Sequence, residues 1–597
     1  MNITGDFDSV PEGEYDFALV RKSLSTLDRD NFAQWFYRNP RSSASETIRN
    51  GWQAKGFEAV VMSPKLDWET VCSSNRTWAY LLHSWEFMDA VMREYLISSD
   101  RQLLDWCIGL AQGWIDQYVY NDIAGESSMA WYDMGLGLRS PRLFALIALA
   151  FEENYPDSVL RCLLEGAEEH RVQHKLETSF NPRTNHGYYA AVGQVILGKG
   201  LYAVDGMKEL LEQGEDRLNF MAAAQFLEDG GHSEHSPDYH RMLLDSFKVA
   251  IDQNLITNQN VINRIRLASD VLGWMVKPDG GILQFGDSPE RTMVSTRKPK
   301  SGNPHTDFLL SRGKFGKPNS ETLRTLPATG LAFVRFPQPV SSDDHMQASY
   351  LAFSASFHSR AHKHADDLNF IWSDHGHEIF VDSGRFGYSD LLPPDHPKRK
   401  EGYYYGAPER QYVESTAAHN TVTIDGKNHE RRARKPYGSA LGDCSARDGE
   451  FFLNGHVLHK EWEHERSISF KPSSWLIIED RVISADATKH DFRSWLNLDA
   501  ELDVHVHDDK TLMVTGKLFP APLWVRGWGD LEMISPVKGG RNPTRGWRSK
   551  MDRTFVPIWS FGFSLNNSAS GTITVTCNFG EEPIEFDPRT QLDSKSE

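Results

Sequence analysis

The spacing of the hydrophobic residues changes once along this chain, and that change limits the folds it can adopt. Between about residues 70 and 276, apolar side chains recur at helical spacing, as Trp78, Leu81, Leu82 and Trp85 do. Beyond about residue 328 they alternate with period two, in segments such as LAFVRF, SYLAFSASF and GTITVTCNF. The sequence therefore predicts helices first and antiparallel strands afterwards.

The segment after Trp274, KPDGGILQFGDSPERTMVSTRKPKSGNPHT, is rich in Gly, Pro and Lys and is typical of a domain junction. Many consecutive amphipathic helices bury their apolar faces most economically in a curved layer or toroid. We therefore expect an α+β multidomain protein. An (α/α) toroid would occupy residues 1–325 and an antiparallel β-sandwich residues 326–597.

Charge and cysteine content exclude several classes of function. The formal net charge of -18 argues against nucleic acid or an anionic membrane as the main partner, although a local basic pocket could still bind an acidic substrate. The 5 cysteines lack CxxC spacing, so neither a zinc ribbon nor a disulfide framework is expected. The N-terminal residues carry no secretory signal pattern. We expect a cytoplasmic protein, or an exported one if a leader was removed; the oligomeric state stays open.

A histidine-rich stretch, SFHSRAHKHADDLNFIW, contains His358, His362 and His364. Imidazole is the commonest protein metal ligand and the usual proton carrier near neutral pH, so this stretch could serve metal binding, acid–base chemistry or both. A polar surface loop is the alternative.

Two further residues can join His364. A hairpin turning at Asp374-His375-Gly376 would put Leu368 roughly opposite Asp382 and so bring that carboxylate close to His364. His419 begins the next plausible strand. Two imidazoles and one carboxylate suit zinc or a similar divalent ion. Alternatively, Asp382 only caps a turn at Gly384 and the histidines are unrelated.

The helical half carries polar groups at two predicted helix starts. Asn185 and His186 open one helix in NHGYY, and Tyr239 stands near the start of another in DGGHSEHSPDYH. Taken alone, Asn185 is a suitable N-cap and Tyr239 a suitable surface ring of an amphipathic helix.

In their order along the chain, these segments resemble the heparinase II/III-like polysaccharide lyases, which include glycosaminoglycan and alginate lyases. The resemblance covers most of the chain and rests on NHGYY, the tyrosine of DGGHSEHSPDYH, PDGGILQFGDS, HKHADD, VDSGRFGY and AAHNTVTIDG. It implies a toroid, a β-sandwich and a catalytic cleft, and cleavage of uronate polymers by β-elimination to give 4,5-unsaturated ends.

The resemblance also implies roles for individual residues. Asn185 and His186 would hold and neutralise the uronate carboxylate, where charge accumulates when the C5 proton leaves. Tyr239 would protonate the leaving oxygen. It can also remove the C5 proton when that proton and the leaving oxygen share a face, and His362 would serve as the base when they do not. Whether elimination is syn or anti, and whether cleavage is endo or exo, stays open.

His364, Asp382 and His419 correspond in the resemblance to metal ligands that are separate from the catalytic groups. They would hold one divalent ion, zinc first, with manganese or calcium as alternatives. We expect the ion to be structural, because an elimination consumes no water that a metal would need to activate.

Further side chains near these motifs are candidates for contacting the acidic polysaccharide, mainly because arginine pairs with carboxylate and sulfate groups. They are Trp131, Arg139, Arg183, Glu234, His235, Arg241, Arg385, Tyr404 and Arg410.

The polymer is the least determined point. The Asn-His pair, the lack of a clear match to the alginate-type tyrosine and the segment SMAWYDMGLGLRSPR favour glycosaminoglycans such as hyaluronan, chondroitin sulfate or heparan sulfate. Alginate or a bacterial exopolysaccharide is the alternative, and a non-catalytic carbohydrate-binding protein is the alternative of another class. An amidohydrolase barrel is disfavoured by the run of strands. A glycoside hydrolase is disfavoured because Glu234 and Asp238 lie in one short segment.

Overall fold

The computed structural model describes residues 15–24, 42–54, 57–69, 76–121, 129–182, 185–388 and 390–584. The chain forms two compact units, one of Met1–Ala224 with Phe247–Ile262 and the other of Gln225–Ser246 with Asn263–Glu597. The second unit therefore contains the strands and also two segments, 225–246 and 263–325, that lie before the predicted domain boundary at 325/326.

The first unit is built from helices, as the apolar spacing predicts. The described α-helices up to its end are Phe17–Leu24, Ala44–Asn50, Arg76–His83, Asp89–Ser98, Arg101–Ile115, Asp133–Glu152, Asp157–Lys175, Asn185–Gly200 and Met207–Gln225. Two more, Pro237–Asp252 and Gln259–Trp274, continue from one unit into the other.

The helix Asp133–Glu152 is the centre of the first unit. By length and composition this helix could cross a membrane, but 89% of its most apolar stretch is buried inside the protein. Such burial is typical of a core helix that is hydrophobic on all sides. The helix Asn185–Gly200 packs close against it, because a Cβ on Gly193 would lie 2.6 Å from the carbonyl oxygen of Gly137.

The second unit contains two large antiparallel sheets. The nine-stranded sheet has the order Leu323–Leu326, Leu331–Phe336, Ser349–Ser354, Asn369–Asp374, His377–Phe380, His490–Leu498, Trp559–Ser568 and Glu532–Lys538, with Val422–Ile424 also paired to His490–Leu498. The eight-stranded sheet has the order Asp503–Val506, Thr511–Thr515, Leu523–Trp528, Ser570–Phe579, Trp475–Ser484, Trp462–Lys471, Glu450–Leu458 and Ser445–Arg447.

Shorter elements complete the second unit. They are the helices Pro304–Leu310, Pro397–Lys400 and Pro408–Val413 and the strand pairs Ser356–Phe357 with Gly438–Ser439, Gly540–Arg541 with Thr544–Arg545, and Trp547–Arg548 with Val556–Pro557.

The core of this unit lies between the two sheets. Phe353 and Trp372 from the nine-stranded sheet pack in one buried cluster with Phe470 and Val575 from the eight-stranded sheet. A second cluster covers the other face of the nine-stranded sheet, where Trp274 packs on its strands. Alternating residues of the strands therefore reach two different apolar layers, and these layers hold the ends of the strands in place.

The predicted hairpin at Asp374-His375-Gly376 is present. His375 and Gly376 both have positive φ, 47° and 76°, as a two-residue turn of this kind requires. A register shift next to Trp372 changes the expected pairing, and Asp382 lies beyond the end of the strand His377–Phe380. The contact of Asp382 in this region is a side-chain hydrogen bond, in which Asn369 Nδ2 donates to Asp382 Oδ2 at 2.6 Å.

Candidate active site and metal centre

The loop that carries His362 and His364 follows the short strand Ser356–Phe357 and lies against the segment around Gly286. His362 itself has φ 56°, in the left-handed region that non-glycine residues adopt less often than glycine. A Cβ on Gly286 would lie 2.5 Å from the His362 carbonyl oxygen, so only glycine allows this approach. The neighbouring Asp287 is thereby brought beside both histidines.

Asp287 is buried and accepts hydrogen bonds on both carboxylate oxygens. Its Oδ2 is 2.9 Å from His362 Nδ1 and 2.9 Å from the Tyr388 hydroxyl, and its Oδ1 is 3.0 Å from His364 Nε2. Arg410 also donates to Oδ1. Burial alone would raise the pKa of Asp287, but Arg410 and the two histidines outweigh it and hold the pKa well below its usual range.

An ionised Asp287 can only accept, which determines the protons of its neighbours. His362 must donate from Nδ1, so its Nε2 is free to act as a base. His364 must donate from Nε2, so its Nδ1 is free to bind a metal ion. One carboxylate thus selects the tautomers of the predicted base and of a predicted metal ligand.

Tyr239 lies directly on His362, with their ring centroids 3.6 Å apart and nearly parallel. Its hydroxyl is 3.2 Å from that of Tyr388, whose own proton goes to Asp287. Burial raises the pKa of Tyr239, so this residue is a proton donor at neutral pH. On the other side of the imidazole, Glu234 Oε2 is 3.6 Å from His362 Nε2, and burial raises the pKa of Glu234.

A cavity of about 340 Å³ opens beside this group, within the second unit. His362, Tyr388 and Arg410 line it together with Tyr404 and Tyr405. The rings of Tyr388 and Tyr405 stack at 5.1 Å, so the cavity has an aromatic wall of the kind that packs against sugar rings.

The predicted metal set is assembled and buried. His364, Asp382 and His419 each offer a ligand atom within 4.8 Å of the others. In the described part of the chain, His364 Nδ1 and His419 Nε2 are buried without a hydrogen-bond partner. Buried imidazole nitrogens without partners are costly unless they bind something, so this donor set fits a divalent ion.

Asp382 has two functions in this cluster. Its Oδ1 accepts from the amide of Gly384 at 2.9 Å, as the turn-capping alternative supposed, and its Oδ2 lies 2.9 Å from His419 Nδ1. The two interpretations of Asp382 are therefore compatible.

His235 holds the backbone of the histidine loop. Its Nε2 accepts from the amide of His358 at 2.9 Å, and its Nδ1 is 3.3 Å from the carbonyl oxygen of Ala361. Both ring nitrogens are used by the backbone, so His235 supports the loop and has none left for a substrate. His358 is bound to the Thr329 carbonyl oxygen at 2.8 Å and is not part of the predicted metal set.

The predicted residues of the first unit have mixed surroundings. His186 Nδ1 lies 2.9 Å from the Tyr132 hydroxyl and 3.4 Å from Asp133, at the start of its helix. Arg183 and the side chain of Asn185 lie outside the described residues. Trp131 is partly exposed, and its ring packs 5.2 Å from that of His170.

The structure contradicts the prediction that Arg139 contacts the substrate. It is completely buried, donates to His170 Nε2 at 2.8 Å and lies 4.0 Å over the ring of Trp114. Burial lowers its pKa to about 9. A guanidinium with no exposed surface has a structural role in the core of the first unit.

Most of the other arginines that were predicted to contact the substrate form ion pairs within the protein. Arg241 pairs with Asp238 and Asp245, and Arg385 pairs with Asp552 at 2.7 Å. Tyr404 is exposed in the cavity wall with Arg399 4.2 Å above its ring. Arg410, held by Asp287 and Glu414, organises the site more than it offers a free charge.

Asp287 and Tyr388 had no role in the sequence analysis. Their segments, PDGGILQFGDS and VDSGRFGY, stood out as motifs, but no local pattern connects them with His362. Asp287 is 75 positions from His362 and Tyr388 is 101 positions from Asp287, so only the tertiary fold brings them together.

Comparison with known proteins agrees with this architecture. The chain matches the family model of the heparinase II/III N-terminus over residues 32–301 and that of the heparinase II/III-like C-terminal region over residues 320–550. A comparison with curated protein sequences finds no match.

Two solved structures illustrate the likeness in fold. A mutant of the heparan sulfate lyase HepC from Pedobacter heparinus gives a TM-score of 0.72 at 17% identity, over 95% of this chain and 88% of that one. A heparinase III with methylated lysines gives 0.69 at 17% identity, over 93% and 85%. The predicted fold class, a helical toroid followed by an antiparallel β-sandwich, is confirmed.

The fold and the tyrosine–histidine site define a polysaccharide lyase, that is, a carbon–oxygen lyase. The two family models together cover most of the chain, and the protein belongs to the heparinase II/III-like family.

Proposed function

We propose that the protein cleaves glycosaminoglycans, such as hyaluronan, chondroitin sulfate or heparan sulfate, by β-elimination. The observation that carries the proposal is the stacking of Tyr239 on His362, with Asp287 bound to His362 Nδ1. This pair places a proton donor and a base side by side at the edge of a cavity. The heparan sulfate lyase among the structural relatives supports this class of polymer.

The proposed mechanism follows from the positions of the protons on His362 and Tyr239. His362 Nε2 removes the C5 proton next to the uronate carboxylate, and the imidazolium that forms is stabilised by Asp287 on one side and Glu234 on the other. Tyr239 gives its proton to the oxygen that leaves C4. The Tyr388 hydroxyl donates its own proton to Asp287, so it accepts from Tyr239 at 3.2 Å and keeps that hydroxyl oriented. We assign Asn185 and His186 to the substrate carboxylate.

We also propose that His364, Asp382 and His419 hold one divalent ion, with zinc as first choice and manganese or calcium as alternatives. The ion would supply rigidity, by joining the histidine loop to the strand ends that follow it. No proton transfer in the mechanism depends on it.

Alginate is the second candidate polymer, because of Tyr388. The sequence argument against alginate used the lack of a matching second tyrosine, yet Tyr388 stands 3.0 Å from His362 Nδ1 and lines the cavity. Any test of activity must therefore include alginate.

The experiment is an assay of purified protein against a panel of uronate polymers, followed through the ultraviolet absorbance of unsaturated ends. Tyr239→Phe and His362→Ala should each lower turnover at least about 100-fold on the best polymer. Tyr202→Phe and His456→Ala change exposed residues of the same types and should leave it unchanged. If no polymer yields unsaturated ends, or if Tyr239→Phe keeps normal turnover, the proposal is wrong.

A further inference from the structure

The charged side chains of the cavity beside His362 are mostly arranged in closed pairs. Its two acids are Asp287 and Glu414, and Arg410 lies between them. Arg431 donates to Glu414 Oε2 at 2.8 Å. These pairs neutralise one another, so they contribute little net charge to the cavity.

A third cation of the lining, Lys363, is also neutralised. It is buried and pairs with Asp366 and, at 3.2 Å, with Asp367. Both carboxylates lie behind the cavity wall, so Lys363 has no charge left for a ligand.

Two arginines of the lining are different. Within the described part of the chain, Arg360 and Arg432 have no carboxylate at ion-pair distance, and both are exposed. The nearest acid in sequence, Glu430, uses its Oε1 to accept the amides of Arg432 and Ala433 at 2.6 and 2.8 Å. The cavity therefore has a surplus of positive charge in a chain whose net charge is -18.

Arg360 is also held in position. Its Nε donates to the carbonyl oxygens of Arg431 and Arg432 at 3.1 and 3.0 Å, and its Nη2 donates to that of Arg434 at 2.9 Å. A guanidinium fixed by neutral carbonyl groups keeps its whole charge and loses little entropy when it binds an anion.

We propose that Arg360 and Arg432 form a subsite for an anionic group of the polymer other than the carboxylate that reacts. The proposal rests on the proposed function, because the cavity is the one that holds His362. A sulfo group and the carboxylate of a neighbouring uronate both present the anionic oxygens that guanidinium groups bind. Substrates with a charge next to the cleaved bond would therefore be preferred.

The test compares the binding of two size-matched oligosaccharides by calorimetry at fixed ionic strength. One is a sulfated heparan-type chain, and the other is its desulfated and N-acetylated counterpart. Arg432→Gln should weaken binding about 10-fold, the effect of one charge-assisted hydrogen bond. A loss confined to the sulfated chain identifies a sulfo group, and an equal loss with both chains identifies the uronate carboxylate.

Three controls make the result specific. Arg447→Gln removes a largely exposed arginine far from the cavity lining and should not change the affinity for either chain. Arg432→Lys keeps the charge and should restore part of the affinity. Arg360→Gln should act in the same direction as Arg432→Gln. Unchanged affinity in Arg432→Gln, or an equal loss in Arg447→Gln, would overturn the subsite.

Failure of the subsite can be distinguished from failure of the proposed function, because binding does not require turnover. If no polymer yields unsaturated ends but Arg432→Gln still weakens oligosaccharide binding, the subsite stands and the lyase proposal falls. If unsaturated ends form and Arg432→Gln binds both chains normally, the lyase proposal stands and the subsite falls.

Discussion

Among the described residues of the second unit, two clusters each bring together two histidines and one aspartate, and their surroundings differ. The first is His364, Asp382 and His419, and the second is Asp367, His429 and His459. In both, ligand atoms lie within 4.8 Å of one another. By distance alone, either could hold a metal ion.

Hydrogen bonds separate the two. In the second cluster, His429 Nδ1 accepts from the Asp367 amide at 3.2 Å and its Nε2 donates to the Val422 carbonyl oxygen at 2.7 Å. Asp367 itself pairs with Lys363 and Arg434. The first cluster leaves one ring nitrogen on each of its two histidines without a partner in the described residues, whereas in the second cluster this holds only for Nε2 of His459. Free lone pairs and uncompensated charge, more than proximity, distinguish a metal site from a polar core.

The largest expected effect comes from breaking the first cluster. If the proposed ion anchors the loop of His362, His364→Ala or Asp382→Ala should reduce bound metal from about one ion per chain to none and lower turnover about 100-fold. Metal analysis and initial rates measure both. His459→Gln, in the second cluster, should keep the metal. Equal metal loss in that variant would remove the distinction between the clusters.

The link from the first cluster to the base is the next test. Asp287→Asn keeps the shape of the side chain but no longer requires both histidines to donate, so turnover should fall about 10- to 100-fold. Metal content at saturating zinc should stay near that of the natural protein. The matched control is Asp552→Asn, which makes the same substitution at an exposed aspartate that pairs with Arg385. Near-normal turnover in Asp287→Asn would refute the positioning role.

The second cluster should affect stability and not metal binding. Asp367→Asn removes the charge of a buried carboxylate that pairs with the buried Lys363 and the partly buried Arg434, which should cost about 3 kcal/mol in the free energy of unfolding. Denaturant unfolding measures this cost, with the exposed Asp448→Asn as a control expected to change it by less than about 0.5 kcal/mol. Loss of metal in Asp367→Asn would show that the second cluster is also a site.

The smallest expected effect is the pH dependence of the contribution that Asp367 makes to the free energy of unfolding. Burial would raise the pKa of Asp367, but Lys363, His429 and Arg434 lower it well below the usual range. A carboxyl whose pKa is lowered on folding stabilises the protein above its unfolded pKa of about 4 and loses that contribution as the pH falls below it. The stability difference between natural protein and Asp367→Asn should therefore shrink from pH 7 towards pH 3. A constant difference would contradict this assignment.

The sequence by itself determined that a helical region is followed by antiparallel strands. It also determined the hairpin before Asp382 and the grouping of His364 with Asp382 and His419. Helical and strand spacing are local properties, and a hairpin with a two-residue turn brings neighbouring segments together without help from the rest of the fold. The roles given to Asn185, His186 and Tyr239 came from the family resemblance and not from spacing.

Only the tertiary structure decided which polar groups are free and which are already paired. Arg139 looked like an available cation, yet its neighbours in the fold enclose it completely. Arg410 proved to be the partner of Asp287, and Asp287 selects the tautomers of His362 and His364. Burial and pairing depend on groups tens of positions away, so a local pattern can indicate which residues carry chemistry but cannot show which of their protons and lone pairs remain available.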